Sequence, residues 1–163
     1  MINRILIVMK KYLIFFTFLI SCVFSTSILA QIEKGKWNFV KDPDYCFIGS
    51  SPIEIEIPEG KKRDDPYILV YRINKSKDSI VQINAGYPYK KDQKVEVFID
   101  DTSFKFYSED DTAWTNDDAK VIYAMKKGLK LIVKGQSSRG TKTIDTYTLK
   151  GFTAAFNTLS NDC

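Results

Sequence analysis

The strongest constraint on the fold of this chain is the run from Asp117 to Phe156, where almost every local signal agrees with its neighbours. Thr115–Asn116–Asp117–Asp118 offers a helix N-cap with acids in the first turn. Thr115 and Asp118 also fit the Ser/Thr-x-x-Asp/Glu capping pattern. Val121, Ile122 and Met125 form an apolar stripe, Lys126 and Lys127 fill the last turn, and Gly128 stands where such a helix should stop. Leu129, Leu131 and Val133 then alternate with Lys130 and Lys134, the pattern of a half-buried strand. Ser137–Ser138–Arg139–Gly140 is turn chemistry, and residues 141–149 read as the returning strand. Gly151 opens an amphipathic helix predicted over residues 152–159, with Phe152, Ala155, Phe156 and Leu159 on one side. A helix, a hairpin and a second helix with such local consistency specify their own fold, and the rest of the chain must supply what they pack on.

The rest reads as strands. Residues 36–41 alternate, with Trp37 and Phe39 on one face. Short apolar or alternating runs follow at 45–48, 53–57, 67–74, 80–87, 95–99 and 103–107, separated by Pro, Gly, Asn and Asp. Lys61 to Pro66 reads as a charged, exposed connection, and Ser108 to Thr112 as an acidic surface loop leading to Ala113–Trp114. With the hairpin, the pattern predicts a mainly β protein. It would be an antiparallel β-sandwich or open barrel of about eight to nine strands, with two short α-helices near the C-terminus.

The N-terminus sets the compartment. Residues 1–11 carry Arg4, Lys10 and Lys11 and no acid, residues 12–24 are almost wholly apolar, and Ile28–Leu29–Ala30 precedes Gln31. This predicts a signal peptide over 1–30, cleaved after Ala30, and a periplasmic or secreted single domain over 31–163. Two alternatives stay open: a retained membrane anchor, and a lipid anchor at Cys22, since Leu19–Ile20–Ser21–Cys22 resembles a lipobox. Cleavage would remove three basic residues and no acids. The 24 Lys+Arg then fall to 21 against 20 Asp+Glu, so the net charge drops from +4 to near +1. No basic stripe for nucleic acid results, because Lys61–Lys62–Arg63 is followed at once by Asp64–Asp65.

The sequence contains no histidine. This removes Ser–His and Cys–His nucleophile pairs and the usual zinc and copper sites. A Ser–Lys dyad stays open, although Ser137 and Ser138 sit where a hairpin turn is needed. The acidic pairs Asp100–Asp101, Glu109–Asp110–Asp111 and Asp117–Asp118 do not have the spacing of a calcium loop. No catalytic, cofactor-binding or metal residue is assigned and no cofactor is expected. Most aromatics follow strand alternation and read as core. Tyr87, Tyr89 and Trp114 lie in loops or at strand ends and form the candidate contact patch. Cys46 and Cys163 would survive cleavage. In an exported chain such a pair favours a disulfide over a metal site, with two free buried thiols as the alternative.

Three runs carry a resemblance: Val121–Gly128 (VIYAMKKG), Gly135–Thr141 (GQSSRGT) and Asp145–Ala155 (DTYTLKGFTAA). Together they resemble the invasion-associated locus B family of alphaproteobacteria, and Trp37 followed by Cys46 matches the family's early Trp and Cys loosely. The resemblance implies an exported, periplasmic or envelope-associated β-rich protein. The family is named for bacterial entry into host red cells, yet it has members in free-living bacteria. No catalytic residue carries over. The motif positions Gly128, Arg139, Gly140, Asp145, Tyr147, Gly151, Phe152 and Ala155 read as architectural, so a binding surface is expected in the loops between Gly49 and Thr115. The function expected is a non-enzymatic binding or accessory role at the cell envelope, linked in pathogens to host-cell invasion. Its partner would be an unidentified envelope or host protein, with no nucleic acid, and with membrane contact only through the leader or a lipid on Cys22. The alternatives are a structural envelope component that binds peptidoglycan or lipid, and a hydrolase lacking histidine.

Overall fold

A computed structural model of the chain describes residues 32–73 and 76–163. The predicted leader, with its cleavage point and Cys22, lies outside the described residues. Ten strands follow one another in the chain: β1 (Asn38–Lys41), β2 (Tyr45–Ser50), β3 (Glu54–Glu56), β4 (Tyr67–Ile73), β5 (Ile80–Asn84), β6 (Val95–Ile99), β7 (Thr102–Glu109), β8 (Thr112–Trp114), β9 (Lys130–Gln136) and β10 (Lys142–Thr148). Helix α1 (Asp118–Lys127) joins β8 to β9, and α2 (Phe152–Asp162) closes the chain. The strands form one antiparallel sheet in the order β1-β2-β4-β5-β8-β7-β6-β9-β10-β3.

Strands β2 and β3 lie near opposite ends of that order, yet only Ser51, Pro52 and Ile53 separate them in the chain. The sheet must therefore curl until its ends approach, which makes the open barrel rather than the sandwich. Backbone bonds extend the pairing on either side of the seam between those ends: Ile53 N donates to Thr146 O at 2.8 Å beside β3 and β10, and Gly35 N to Ser51 O at 3.0 Å beside β1 and β2. The indole of Trp37 donates to Thr148 O at 2.9 Å across the same seam.

The strand beyond the eight or nine expected is β8. It pairs with β5 on one side and β7 on the other. Its three residues follow a turn at Asp110, which takes a left-handed φ of 52°, and the hydroxyl of Thr112 donates to Glu109 O at 2.8 Å. A strand this short, entered from an acidic stretch, leaves no alternation to detect. It is nonetheless the joint between the two halves of the sheet.

The interior is filled by the inward positions of the strands and by the helices. Ile48, Ile68, Val81, Val97, Phe106, Met125, Leu131, Phe152 and Leu159 are all wholly or almost wholly buried. Each such side chain contributes about 1.5–3 kcal/mol. Helix α1 starts where expected, but its capping differs. Asp117 is the N-cap and makes no side-chain cap bond. The Asp118 carboxylate instead accepts the backbone N–H of Val81 at 2.8 Å, tying the helix to β5. Gly128 does not adopt the left-handed helix-stop conformation; its φ is −79°. Glycine is needed there for room, because a Cβ would lie 2.8 Å from Ile99 Cγ2 and 3.1 Å from Ala124 O. Helix α2 runs three residues past the predicted end at 159. Cys163 is disulfide-bonded to Cys46 of β2, with the Cα atoms 5.9 Å apart, and Lys41 Nζ donates to Asp162 O at 2.6 Å. Among the described residues no helix is long and apolar enough to cross a membrane.

Candidate functional site

The alternation of β10 turns Thr143, Asp145 and Tyr147 towards the interior, and all three are buried. A carboxylate there without a partner would cost several kcal/mol. Its partner comes from the segment read as exposed: the Arg63 side chain is 5% exposed, against 4% for Asp145. The guanidinium grips the carboxylate with both terminal nitrogens. Nη1 donates to Oδ2 at 3.0 Å and Nη2 donates to Oδ1. Nη1 also donates to Ala85 O at 2.7 Å. Forked pairing of this kind fixes orientation as well as charge. Burial outweighs the pull of Arg63 and raises the Asp145 carboxyl above its ordinary value.

Tyrosines surround the pair. The Tyr87 ring lies 5.4 Å from the guanidinium carbon, and its hydroxyl shares a 2.6 Å hydrogen bond with Thr143 Oγ1. Tyr89 meets Tyr87 edge-on with centroids 5.4 Å apart. Burial pushes the phenols of Tyr87, Tyr89 and Tyr147 upward, so all three stay neutral. Arg63 Nε and the hydroxyls of Tyr89 and Tyr147 are buried without a hydrogen-bond partner among the described residues.

Arg63 acts as an anchor for the chain before it. Asp64 N donates to Gly86 O at 3.1 Å. Gly86, with φ 69°, is obligatory at that crossing, because a Cβ would lie 2.0 Å from Asp64 O. Lys61 and Lys62 are thereby held beside the β9–β10 turn. That turn is itself fixed: Gly140 N donates to Ser137 O and Ser138 N to Pro88 O, both at 2.8 Å, and Ser137 Oγ accepts from Thr141 N at 3.1 Å. Between the two walls lies a cavity of about 260 Å³. Lys61, Lys62, Tyr87, Ser138, Arg139 and Thr141 are among its lining residues, and no carboxylate is.

The residues singled out in the sequence fall into separate places. Tyr87, Tyr89 and Trp114 do not form an exposed patch. Tyr89 is 7% exposed and belongs to the core, Tyr87 covers the buried ion pair, and Trp114 packs edge-on against Tyr71 at 6.4 Å. Neither Tyr89 nor Trp114 is a free loop residue: Tyr89 forms an isolated bridge with Ser137, and Trp114 belongs to β8. Of the motif positions, Tyr147, Phe152 and Ala155 are buried packing residues. Gly140 and Gly151 take left-handed backbone conformations at turns, and Gly128 makes room. Asp145 and Arg139 are different: one holds the buried anchor and the other lines the cavity. Ser137 Oγ is engaged in the turn. Among the described residues no group of three or more His, Cys, Asp or Glu is placed to hold a metal.

Arg63 was the residue hidden in the sequence. The signal for it lay elsewhere: Asp145 shares strand parity with Tyr147 and Leu149, so it had to face inward and required a cation.

None of the curated proteins matches the chain in sequence. The fold is similar to the crystal structure of invasion associated protein B from Bartonella henselae, with a TM-score of 0.55 and 15% identity over 77% of this chain and 92% of that one. The family model described as "Invasion associated locus B (IalB) protein" matches residues 56–160. That span is more than half of the chain and contains both walls of the cavity and every motif position named above, and the chain belongs to the invasion-associated locus B family.

Proposed function

We propose that the mature chain is a non-enzymatic binding or accessory protein of the bacterial cell envelope, exported to the periplasm or beyond. The Cys46–Cys163 disulfide carries this reading. A structural bridge of this span belongs to an oxidising compartment, since cytosolic thiols are kept reduced. The loops at the cavity end favour binding. They are pinned by backbone bonds to one another and by Arg63 to the interior, so little freedom is lost on association. In this reading the partner is an envelope or host protein, and in a pathogen the contact serves entry into host cells. Insertion into the membrane runs only through the leader or a lipid on Cys22.

Mass spectrometry of the protein from fractionated cells tests export. The expected species begins at Gln31, lies in the periplasmic or envelope fraction, and is about 2 Da lighter than its reduced form. A full-length reduced chain in the cytosol overturns export, and a lipidated Cys22 overturns cleavage after Ala30. Crosslinking in the intact envelope followed by pull-down should recover one protein reproducibly. Recovery of none, or turnover of an envelope substrate by the purified protein, overturns the binding role.

A further inference from the structure

We propose that the cavity between Lys61–Arg63 and the β9–β10 turn binds a phosphate or sulfate monoester group. The inference rests on the binding role proposed above and names the chemistry of one ligand. Lys61, Lys62 and Arg139 bring three cations to one cavity of about 260 Å³ whose lining contains no carboxylate. None of the three has an ion-pair or side-chain hydrogen-bond partner among the described residues. The fourth cation of the lining, Arg63, is already matched by Asp145, so the charge left without a partner inside the cavity is that of the other three; Asp64 and Asp65 follow in the chain but do not line it.

The positions are built rather than fortuitous. Lys61 and Lys62 are carried by a segment that Arg63 and the Asp64–Gly86 bond hold in place. Arg139 and Ser138 are carried by a turn pinned to Pro88. The hydroxyls of Ser138 and Thr141 add neutral donors around the cations. Both groups present three acceptor oxygens, with up to two negative charges on a phosphate monoester and one on a sulfate monoester, and so use three cations and several hydroxyls better than a carboxylate does. Such a group occurs free, on sugars and on lipid headgroups, and the site recognises what these share.

The test uses the mature disulfide-bonded protein at low ionic strength, where exposed charges are least screened. Inorganic phosphate and sulfate are titrated while the backbone amides of Ser138 to Thr141 are followed by NMR. In parallel, sedimentation is measured with phosphatidylcholine vesicles with and without phosphatidic acid. Arg139→Gln, and Lys61→Gln with Lys62→Gln, should each weaken binding by roughly tenfold or more. Lys91→Gln with Lys94→Gln changes the net charge as much as the lysine pair, on a different surface groove, and should leave binding nearly unchanged. Unaltered thermal unfolding of the variants excludes misfolding.

Saturable binding of the inorganic anions assigns the site to a soluble or sugar-borne group, and binding only to phosphatidic acid vesicles assigns it to a headgroup. Either supports the proposal if it follows the cavity variants. No response on the order of 10 mM anion together with no vesicle binding overturns it, as does an equal loss in the Lys91/Lys94 variant. A partner recovered by crosslinking alongside an unresponsive cavity removes this site and leaves the binding role standing.

Discussion

At the scale of single residues, the Arg63–Asp145 pair decides how the cavity end is built. Its members are 82 positions apart in the chain. No local pattern distinguishes Arg63 from Lys61 and Lys62, which face solvent in the same charged stretch. Asp145 stood out only as a motif position, because the residues of 141–149 could be divided between faces in more than one way; with Tyr147 and Leu149 inward, parity places it inward too. Its partner was not legible, because only the folded barrel brings Ala85 and Arg63 over it. Arg63→Met should cost about 3–5 kcal/mol, since it strands a buried carboxylate, and Asp145→Leu should cost a similar amount by stranding the guanidinium. The double variant should come within about 2 kcal/mol of wild type, because an apolar replacement of both members carries no uncompensated charge. Urea unfolding of the four proteins at pH 7 measures the coupling. Strictly additive losses would mean that the pair does not act as a unit.

At the scale of elements, the helix–hairpin–helix unit was legible in nearly all its parts because its signals are local: a stripe, an alternation, a turn. Where local rules failed, a tertiary contact took over. Asp118 leaves the cap to reach Val81, and Gly128 answers to Ile99 and Leu149 rather than to a helix stop. The end of α2 is likewise set from outside the helix. Its last turn has no basic residue of its own, and the carbonyls there receive Lys41 and Arg72 from β1 and β4. The disulfide joins residues 117 positions apart, a span for which the chain-entropy relation gives about 4–5 kcal/mol. Cys46→Ala with Cys163→Ala should lose stability of that order. Amide exchange should rise first from Leu159 to Asp162, leaving α1 protected at matched conditions. Uniform loss of protection through α1 and α2 alike would show that the bridge holds the barrel rather than the helix end.

At the scale of the whole molecule, the feature hardest to read was closure. The expected strands are all present, but the sequence does not reveal that β2 continues through Ser51–Ile53 into a strand at the other end of the sheet, nor that three residues of β8 join its halves. Strand order depends on long-range pairing, for which a single chain carries no local signal. Closure has an energetic consequence that can be measured. It draws three tyrosines, Tyr87, Tyr89 and Tyr147, around one end of the interior, where burial raises each phenol above its ordinary value of 10.0. A raised folded value means that folding favours the protonated phenol. The contribution is therefore fully present below about pH 10 and is lost as the pH rises beyond it. Each phenol held neutral while its unfolded counterpart ionises removes about 1.4 kcal/mol per pH unit. Between pH 10 and 11 the two most buried, Tyr89 and Tyr147, should together approach about 3 kcal/mol per unit. Tyr147→Phe should remain within about 1 kcal/mol of wild type at pH 7, since the hydroxyl it removes is buried without a partner. The same variant should flatten the alkaline slope by about 1.4 kcal/mol per unit. Urea midpoints taken from pH 8 to pH 11 compare the two proteins. An unchanged slope in the variant would mean that Tyr147 reaches solvent in the folded state and that the barrel end is open to water.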